Sequence, residues 1–175
     1  MLKGEKVTIR PIRQDDMLKW VVWLNDQEVT SHLSGAVLYG VTWEQEQDFY
    51  SQMLRSSQNK VFTIQNENGR QIGNIGLHNI NWEWSTATVG IMIGEKDHWG
   101  KGYGTDAMKT IVNFAFNMMN LRRLSLEVNA DNIRGIKCYE KAGFVTEGIK
   151  RKERYYNGRY TDIVIMGILK EEPAD

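Results

Sequence analysis

One cysteine, Cys138, and two prolines are all that this 175-residue chain holds of those two residue types. A lone thiol cannot form an internal disulfide, so the chain is no disulfide scaffold and suits a reducing compartment, with the cytoplasm as the expected location. Two prolines argue against a long proline-rich or disordered linker. No apolar run approaches the roughly 20 residues of a membrane span, and Met1-Leu2-Lys3-Gly4-Glu5-Lys6 does not read as a signal peptide, so no membrane partner is expected. Net charge is lacking too. With 22 Lys and Arg against 22 Asp and Glu, no summed field draws the chain to nucleic acid. The histidines His32, His78 and His98 are far apart and lack neighbours at metal-ligand spacing, so no metal site is assigned. Internal repeats and low-complexity segments are also missing.

What is present is a globular composition, 41% hydrophobic and 25% charged, long enough for one domain over residues 1–175. Val7 to Arg13 reads as an edge strand, and Gln14-Asp15-Asp16 as the cap of a helix that starts near Met17 and turns Trp20, Trp23 and Leu24 inward. Ser31 to Gly40 reads as a loop. Thr42-Trp43-Glu44-Gln45 has the capping-box pattern and opens a helix to about Leu54. Val61 to Ile64 and Ile72 to Leu77 form strands around an Asn68-Gly69 turn, and Val89 to Gly94 is another strand. Ala107, Ile111, Ala115 and Met118 recur at helical spacing, Leu124 to Val128 is a strand, and Asp131 caps a helix ended by Gly143. Phe144 to Tyr156, Asn157-Gly158 and Tyr160 to Leu169 close the chain as a hairpin. This order implies an α+β or mixed α/β fold with helices on both faces of a mixed sheet.

Chemistry first shows in Trp99-Gly100-Lys101-Gly102-Tyr103-Gly104-Thr105, a glycine-rich segment between a strand and a helix. Glycines let backbone approach a phosphate and adopt positive φ, and a helix N-terminus offers unpaired N–H groups and the positive end of its dipole. Spacing excludes two owners of such a site. A Walker loop needs four residues between its first glycine and Gly-Lys-Ser/Thr, but Gly94 to Gly100 leaves five and Gly102 replaces the hydroxyl. A dinucleotide fingerprint starting at Gly100 meets Thr105 at its third glycine, and one starting at Gly102 meets Met108. A plain glycine-rich turn before a helix is the remaining alternative.

The segment resembles the Gln/Arg-x-x-Gly-x-Gly/Ala pattern of the GNAT superfamily of N-acetyltransferases, with Gly102 and Gly104 in the glycine places and Trp99 where Gln or Arg is usual. About 30 residues downstream, Asn132, Tyr139, Gly143 and Phe144 resemble the family's second signature, an Asn at a strand-to-helix junction, a Tyr seven residues on and then Gly-Phe. The likeness extends from Ile9-Arg10-Pro11-Ile12, Asp15 and Trp20 to Gly158-Arg159-Tyr160-Thr161-Asp162, and is greatest for the ribosomal-protein alanine and spermidine acetyltransferases.

The resemblance implies a GNAT fold, a central mixed and mostly antiparallel sheet flanked by helices on both faces. It also implies acetyl-CoA as co-substrate and direct acetyl transfer to a primary amine. The cofactor would lie on Trp99, Gly100, Lys101, Gly102, Tyr103, Gly104 and Thr105, with Asn132 and Tyr139 beside it. Ile91, Met92 and Ile93 would pair with the pantetheine arm like an added strand, an N–H near Ile93 polarising the thioester carbonyl. Tyr139 would be the general acid that meets the departing thiolate, its alternative a tyrosine packed in the core. Glu127, twelve residues before Tyr139, would be the general base, its alternative a sheet-face carboxylate paired with Arg or Lys.

The acceptor is open: a polyamine, a protein N-terminus, an aminosugar or a xenobiotic amine. Glu44, Glu46 and Asp48 suit a polyamine, and Glu28, Glu83 and His32 stand where an acceptor could be read. A homodimer is the assembly to test for. A different class of function is a non-catalytic acyl-CoA-binding or sensing module. Cys138 reads as a structural thiol, because no His accompanies it in the signature. The basic run Lys150 to Arg154 reads as a solvated strand edge, and Trp82 and Trp84 as packing residues on a strand.

Overall fold

Alternating apolar and polar residues build the sheet of the computed structural model, which describes residues 1–33 and 39–170. Its strands are β1 (Leu2–Lys3), β2 (Val7–Pro11), β3 (Lys60–Asn66), β4 (Gln71–Asn81), β5 (Thr86–Ile93), β6 (Arg123–Asn129), β7 (Val145–Tyr156) and β8 (Arg159–Leu169). Between them run helices α1 (Met17–Leu24), α2 (Gln27–Thr30), α3 (Trp43–Arg55), α4 (Tyr103–Asn117) and α5 (Ile133–Lys141). Strand order is β1-β2-β3-β4-β5-β6-β8-β7, and every neighbouring pair is antiparallel except β5 with β6. This is the mixed, mostly antiparallel sheet expected.

The parallel pair is short. It joins Thr86 to Arg123, Ala87 to Leu124 and Thr88 to Ser125, and then stops. β5 continues on β4 as far as Ile93, and β6 continues on β8 as far as Asn129, so beyond Thr88 the two strands part.

Successive residues of a strand face opposite ways. Ala87 and Val89 of β5 join the larger core with Ala107, Ile111 and Ala115 of α4, whereas Met92 joins a second cluster with Met17, Trp20, Trp23 and Val29. Helices α4 and α1 therefore cover opposite faces. The Thr42 capping box is formed as read, its hydroxyl accepting from the Gln45 N–H while the Gln45 side chain accepts from the Thr42 N–H.

Several readings are corrected. β2 ends at Pro11 and is not the edge, because β1 pairs outside it. Asp16 does not cap α1: it is buried and ion-paired with Arg10. Asn132 rather than Asp131 caps α5, accepting from the Gly135 N–H at 2.9 Å. Met118 lies past the end of α4 and is exposed, since the inward stripe closes with Ala115 and Phe116. Trp82 and Trp84 sit in the β4–β5 turn, 54% and 64% exposed, rather than packed on a strand. Of the Ser31 to Gly40 loop, residues 34–38 lie outside the described residues.

The Arg10–Asp16 pair fixes the start of α1 against the sheet. Arg10 Nη1 and Nη2 donate to the two Asp16 oxygens at 2.8 and 2.6 Å, the Thr63 hydroxyl adds a bond at 2.6 Å and the Arg13 N–H another at 2.7 Å. Burial opposes the Asp16 charge, but these donors, Arg10 first, outweigh it and hold the carboxyl below its ordinary range. Removing one member leaves the other buried and unpaired, so Asp16→Ala should lower unfolding free energy by about 3–5 kcal/mol in denaturant titration. The depressed acid binds its proton more readily unfolded than folded. Its contribution is thus present above the unfolded value of about 3.9 and fades as pH falls through the folded one, a loss in acid that Asp16→Ala should not show.

Candidate active site

Where β5 and β6 part, a cavity of about 520 Å³ opens. The first wall is the free stretch of β5, Ile91 to Ile93. The second is the loop after it, Trp99 to Thr105, and the third is the start and inner face of α5, from Asn132 to Lys141. Val29, His32 and Leu33 border it on the side of α2.

Gly102 makes the second wall possible. It is the N-cap of α4 at φ 88°, a left-handed conformation costly to any residue with a Cβ, and it turns the chain so that the N–H groups of the first helical turn are free. The turn before β2 clamps this helix end. Asp106 accepts from the backbone N–H groups of Glu5, Lys6 and Val7 at 3.1, 2.8 and 2.9 Å, and Lys6 Nζ donates to the Lys101 carbonyl at 3.0 Å. Trp99 Nε1 donates to the Ile93 carbonyl at 2.7 Å, tying the loop to the end of β5.

The third wall explains the spacing of the second signature. Asn132 starts α5, and Gly143 at φ 98° ends it. The Gly143 N–H bonds to the Glu140 carbonyl and the Phe144 N–H to the Tyr139 carbonyl, each at 3.0 Å, which is a Schellman cap. Its usual apolar contact is the Tyr139–Phe144 pair, ring centroids 6.4 Å apart and edge to face. Tyr139 is thereby held by the same cap that stops its helix. Burial pushes its pKa up to about 12, so the hydroxyl keeps its proton at neutral pH. The neighbouring Cys138 is mostly buried against Thr105, whose hydroxyl lies 3.5 Å from Sγ, and burial raises its thiol as well, the reverse of what a nucleophile needs.

Of the residues expected at the site, Ile91, Met92, Ile93, Trp99, Gly100, Gly102, Gly104, Thr105, Asn132 and Tyr139 line this cavity, and Lys101, Tyr103 and Glu127 do not. The Tyr103 hydroxyl donates to the Glu67 carboxylate at 3.0 Å. Glu127 is exposed and ion-paired with Lys150. The acidic residues of α3 do not converge, Glu46 being buried while Glu44 and Asp48 face solvent, and Glu28 pairs with Lys96. Glu83 is exposed in the β4–β5 turn.

Arg134, Lys137 and Lys141, which no sequence motif marks, bring cations to the α5 side of the cavity. The Arg134 guanidinium stacks 3.9 Å from the centroid of the Trp99 ring. Trp99 itself was the available signal: an aromatic ring where the pattern has Gln or Arg leaves a cation to be supplied from elsewhere.

The acetyltransferase (GNAT) domain family matches residues 6–145. The chain belongs to this family. It is 27% identical to the spermidine N(1)-acetyltransferase of Escherichia coli K12 over 172 residues, covering 98% of this chain and 90% of that one. It is also 27% identical to an uncharacterised N-acetyltransferase of Bacillus licheniformis over 175 residues, 99% of this chain and 98% of the other. Among solved structures, the spermidine N-acetyltransferase of Vibrio cholerae in complex with CoA and spermine superposes with a TM-score of 0.86 at 25% identity, covering 93% of this chain and 95% of that one. The GNAT protein described here is an N-acetyltransferase with acetyl-CoA as co-substrate, and the binding-module alternative is not favoured.

Two substitutions probe the walls. Gly102→Ala forces a Cβ into left-handed backbone at a cost of about 1–3 kcal/mol and should weaken the thermal stabilisation that CoA confers. Cys138→Ala should keep turnover within severalfold, and no acetylated Cys138 should be trapped by mass spectrometry.

Proposed function

We propose that residues 1–175 act as one unit that acetylates a small primary amine by direct transfer, with Tyr139 as the acid that meets the leaving sulfur. The observation that carries this reading is Tyr139 itself, held by the α5 cap in the lining of the same cavity as the open edge of β5. The lining suits acetyl-CoA, which supplies the acetyl thioester. An open strand edge offers N–H and C=O groups to an amide-bearing arm, and a helix N-terminus with Arg134, Lys137 and Lys141 offers positive potential to phosphates.

A phenol whose pKa is pushed up by burial is a weak acid and does not give its proton away outright. Tyr139 therefore first donates a hydrogen bond to the developing thiolate, and its proton crosses only as the amine nitrogen loses one.

Glu127, already paired with Lys150, is a poor acceptor for an ammonium inside the cavity. Polyamines are the first acceptors to try, because two of the three relatives above are named for spermidine. A protein N-terminus and a homodimer are tested alongside.

Free-thiol release from acetyl-CoA, measured over polyamines, aminosugars and N-terminal peptides, should find an acceptor. Tyr139→Phe should then lower kcat by about a hundredfold or more with little change in acetyl-CoA KM, and Glu127→Gln by less than about tenfold. Unchanged kcat in Tyr139→Phe would remove its role, and size-exclusion with light scattering reads the assembly.

A further inference from the structure

An ammonium must lose a proton before it can attack, and the cavity contains few groups able to take it. Among the described residues its lining holds no carboxylate. Lys137, Lys141 and Arg134 are already cations, and burial raises both Tyr139 and Cys138. Two histidines remain. His98 is engaged at both ring nitrogens, Nδ1 with Asp97 at 2.7 Å and Nε2 with the Asn66 amide at 3.2 Å.

His32 is placed differently. It borders the main cavity and also a second one of about 430 Å³, lined by Ser31, Asp131, Tyr156, Asn157 and Arg159. Its backbone is pinned from the far strands: the Asn129 amide donates to the His32 carbonyl at 3.0 Å, and Arg154 donates to the carbonyls of Ser31 and Leu33 at 2.7 and 3.2 Å. Nδ1 is buried with no hydrogen-bond partner among the described residues and lies 3.7 Å from an Asp131 oxygen, while 35% of the side chain remains exposed. The carboxylate favours the tautomer protonated on Nδ1, which leaves the lone pair on Nε2.

We propose that His32 is the proton acceptor for the incoming ammonium and that Asp131 is its positioning residue. This rests on the amine-acetylation reading above. The ammonium gives one proton to Nε2, directly or through one water, and the freed lone pair bonds to the acetyl carbon. As the carbon–sulfur bond breaks, the sulfur takes a proton from Tyr139, and the second proton of the nitrogen restores the phenol. His32 returns its proton to solvent through the second cavity, so each acetyl transferred releases one proton.

The charges around the ring are Asp131 from the β6–α5 junction, itself paired with Arg159 of β8 at 3.3 Å, together with Arg154 from β7 and Arg134 from α5. Burial lowers the imidazole below its usual 6.5, Asp131 acts against that, and the two arginines add to it. The ring is then neutral at pH 7. A base works in its neutral form, so kcat should fall as pH drops through the His32 value and level off above it.

The test uses the full chain and two readouts. Against the amine giving the fastest thiol release, His32→Gln should lower kcat about a hundredfold at pH 7 and lose the acid limb, with the thermal stabilisation by CoA kept as a control on folding. Separately, NMR titration of the three histidines, with His32 assigned by its loss in that variant, should place its pKa below 6.5 in the wild type. Asp131→Asn should move it lower still and slow turnover severalfold. A His32→Gln enzyme with wild-type kcat and pH profile, or a His32 titrating at or above 6.5, overturns the proposal. An Asp131→Asn chain with unchanged titration and rate overturns the positioning role. If the wild type releases thiol with no amine, the acceptor class fails instead, and the titration still decides whether His32 is neutral.

Discussion

The early end of pairing between β5 and β6 is the constraint on which the rest of the structure depends. Buried backbone groups demand partners, and two adjacent strands that separate after three residue pairs leave a row of them unmet. The molecule closes that opening with a helix N-terminus on one side and a capped helix on the other, so the three walls of the cavity all face the same gap. Continuous pairing would have given a sound sheet with no place for a ligand. Both strands stay paired with their outer neighbours, β5 with β4 and β6 with β8, through the region where they have lost each other.

The cavity is electrically lopsided. Arg134, Lys137 and Lys141 crowd its α5 side, while Val29, His32 and Leu33 present a nearly neutral border beside α2. A ligand with an anionic end is oriented by that difference before any hydrogen bond forms. Among the described residues none of these three cations is ion-paired with a carboxylate. Elsewhere on the surface Lys19, Lys96, Arg123 and Lys150 are each neutralised by an acidic neighbour.

Local features were legible in the sequence and long-range ones were not. The Asn157-Gly158 turn could be read because both residues take positive φ, 52° and 81°, which few other pairs tolerate. The Thr42 capping box and the Ala107-Ile111-Ala115 stripe are likewise written within one or two helical turns. The second signature was recognised by resemblance, and its physical content, an Asn cap and a Schellman stop framing Tyr139, emerged only from the bonds. Asp16 looked like a cap because acids at such positions usually are; Arg10, six residues earlier on a neighbouring strand, claimed it instead. Trp82 and Trp84 misled because apolar character alone does not say whether a segment is strand or turn. Arg134 and His32 carry no spacing that marks them, since each matters through a partner on another element.

The three carbonyl contacts that pin residues 31–33 span 97 to 123 positions of sequence, reaching from the first quarter of the chain to β6 and β7. Contacts of such high order form late, after shorter loops have closed. During synthesis this border of the cavity must wait until the closing hairpin has been made. A chain cut before β7 would lose Arg154, and with it two of the three carbonyl contacts that hold one rim of the chamber.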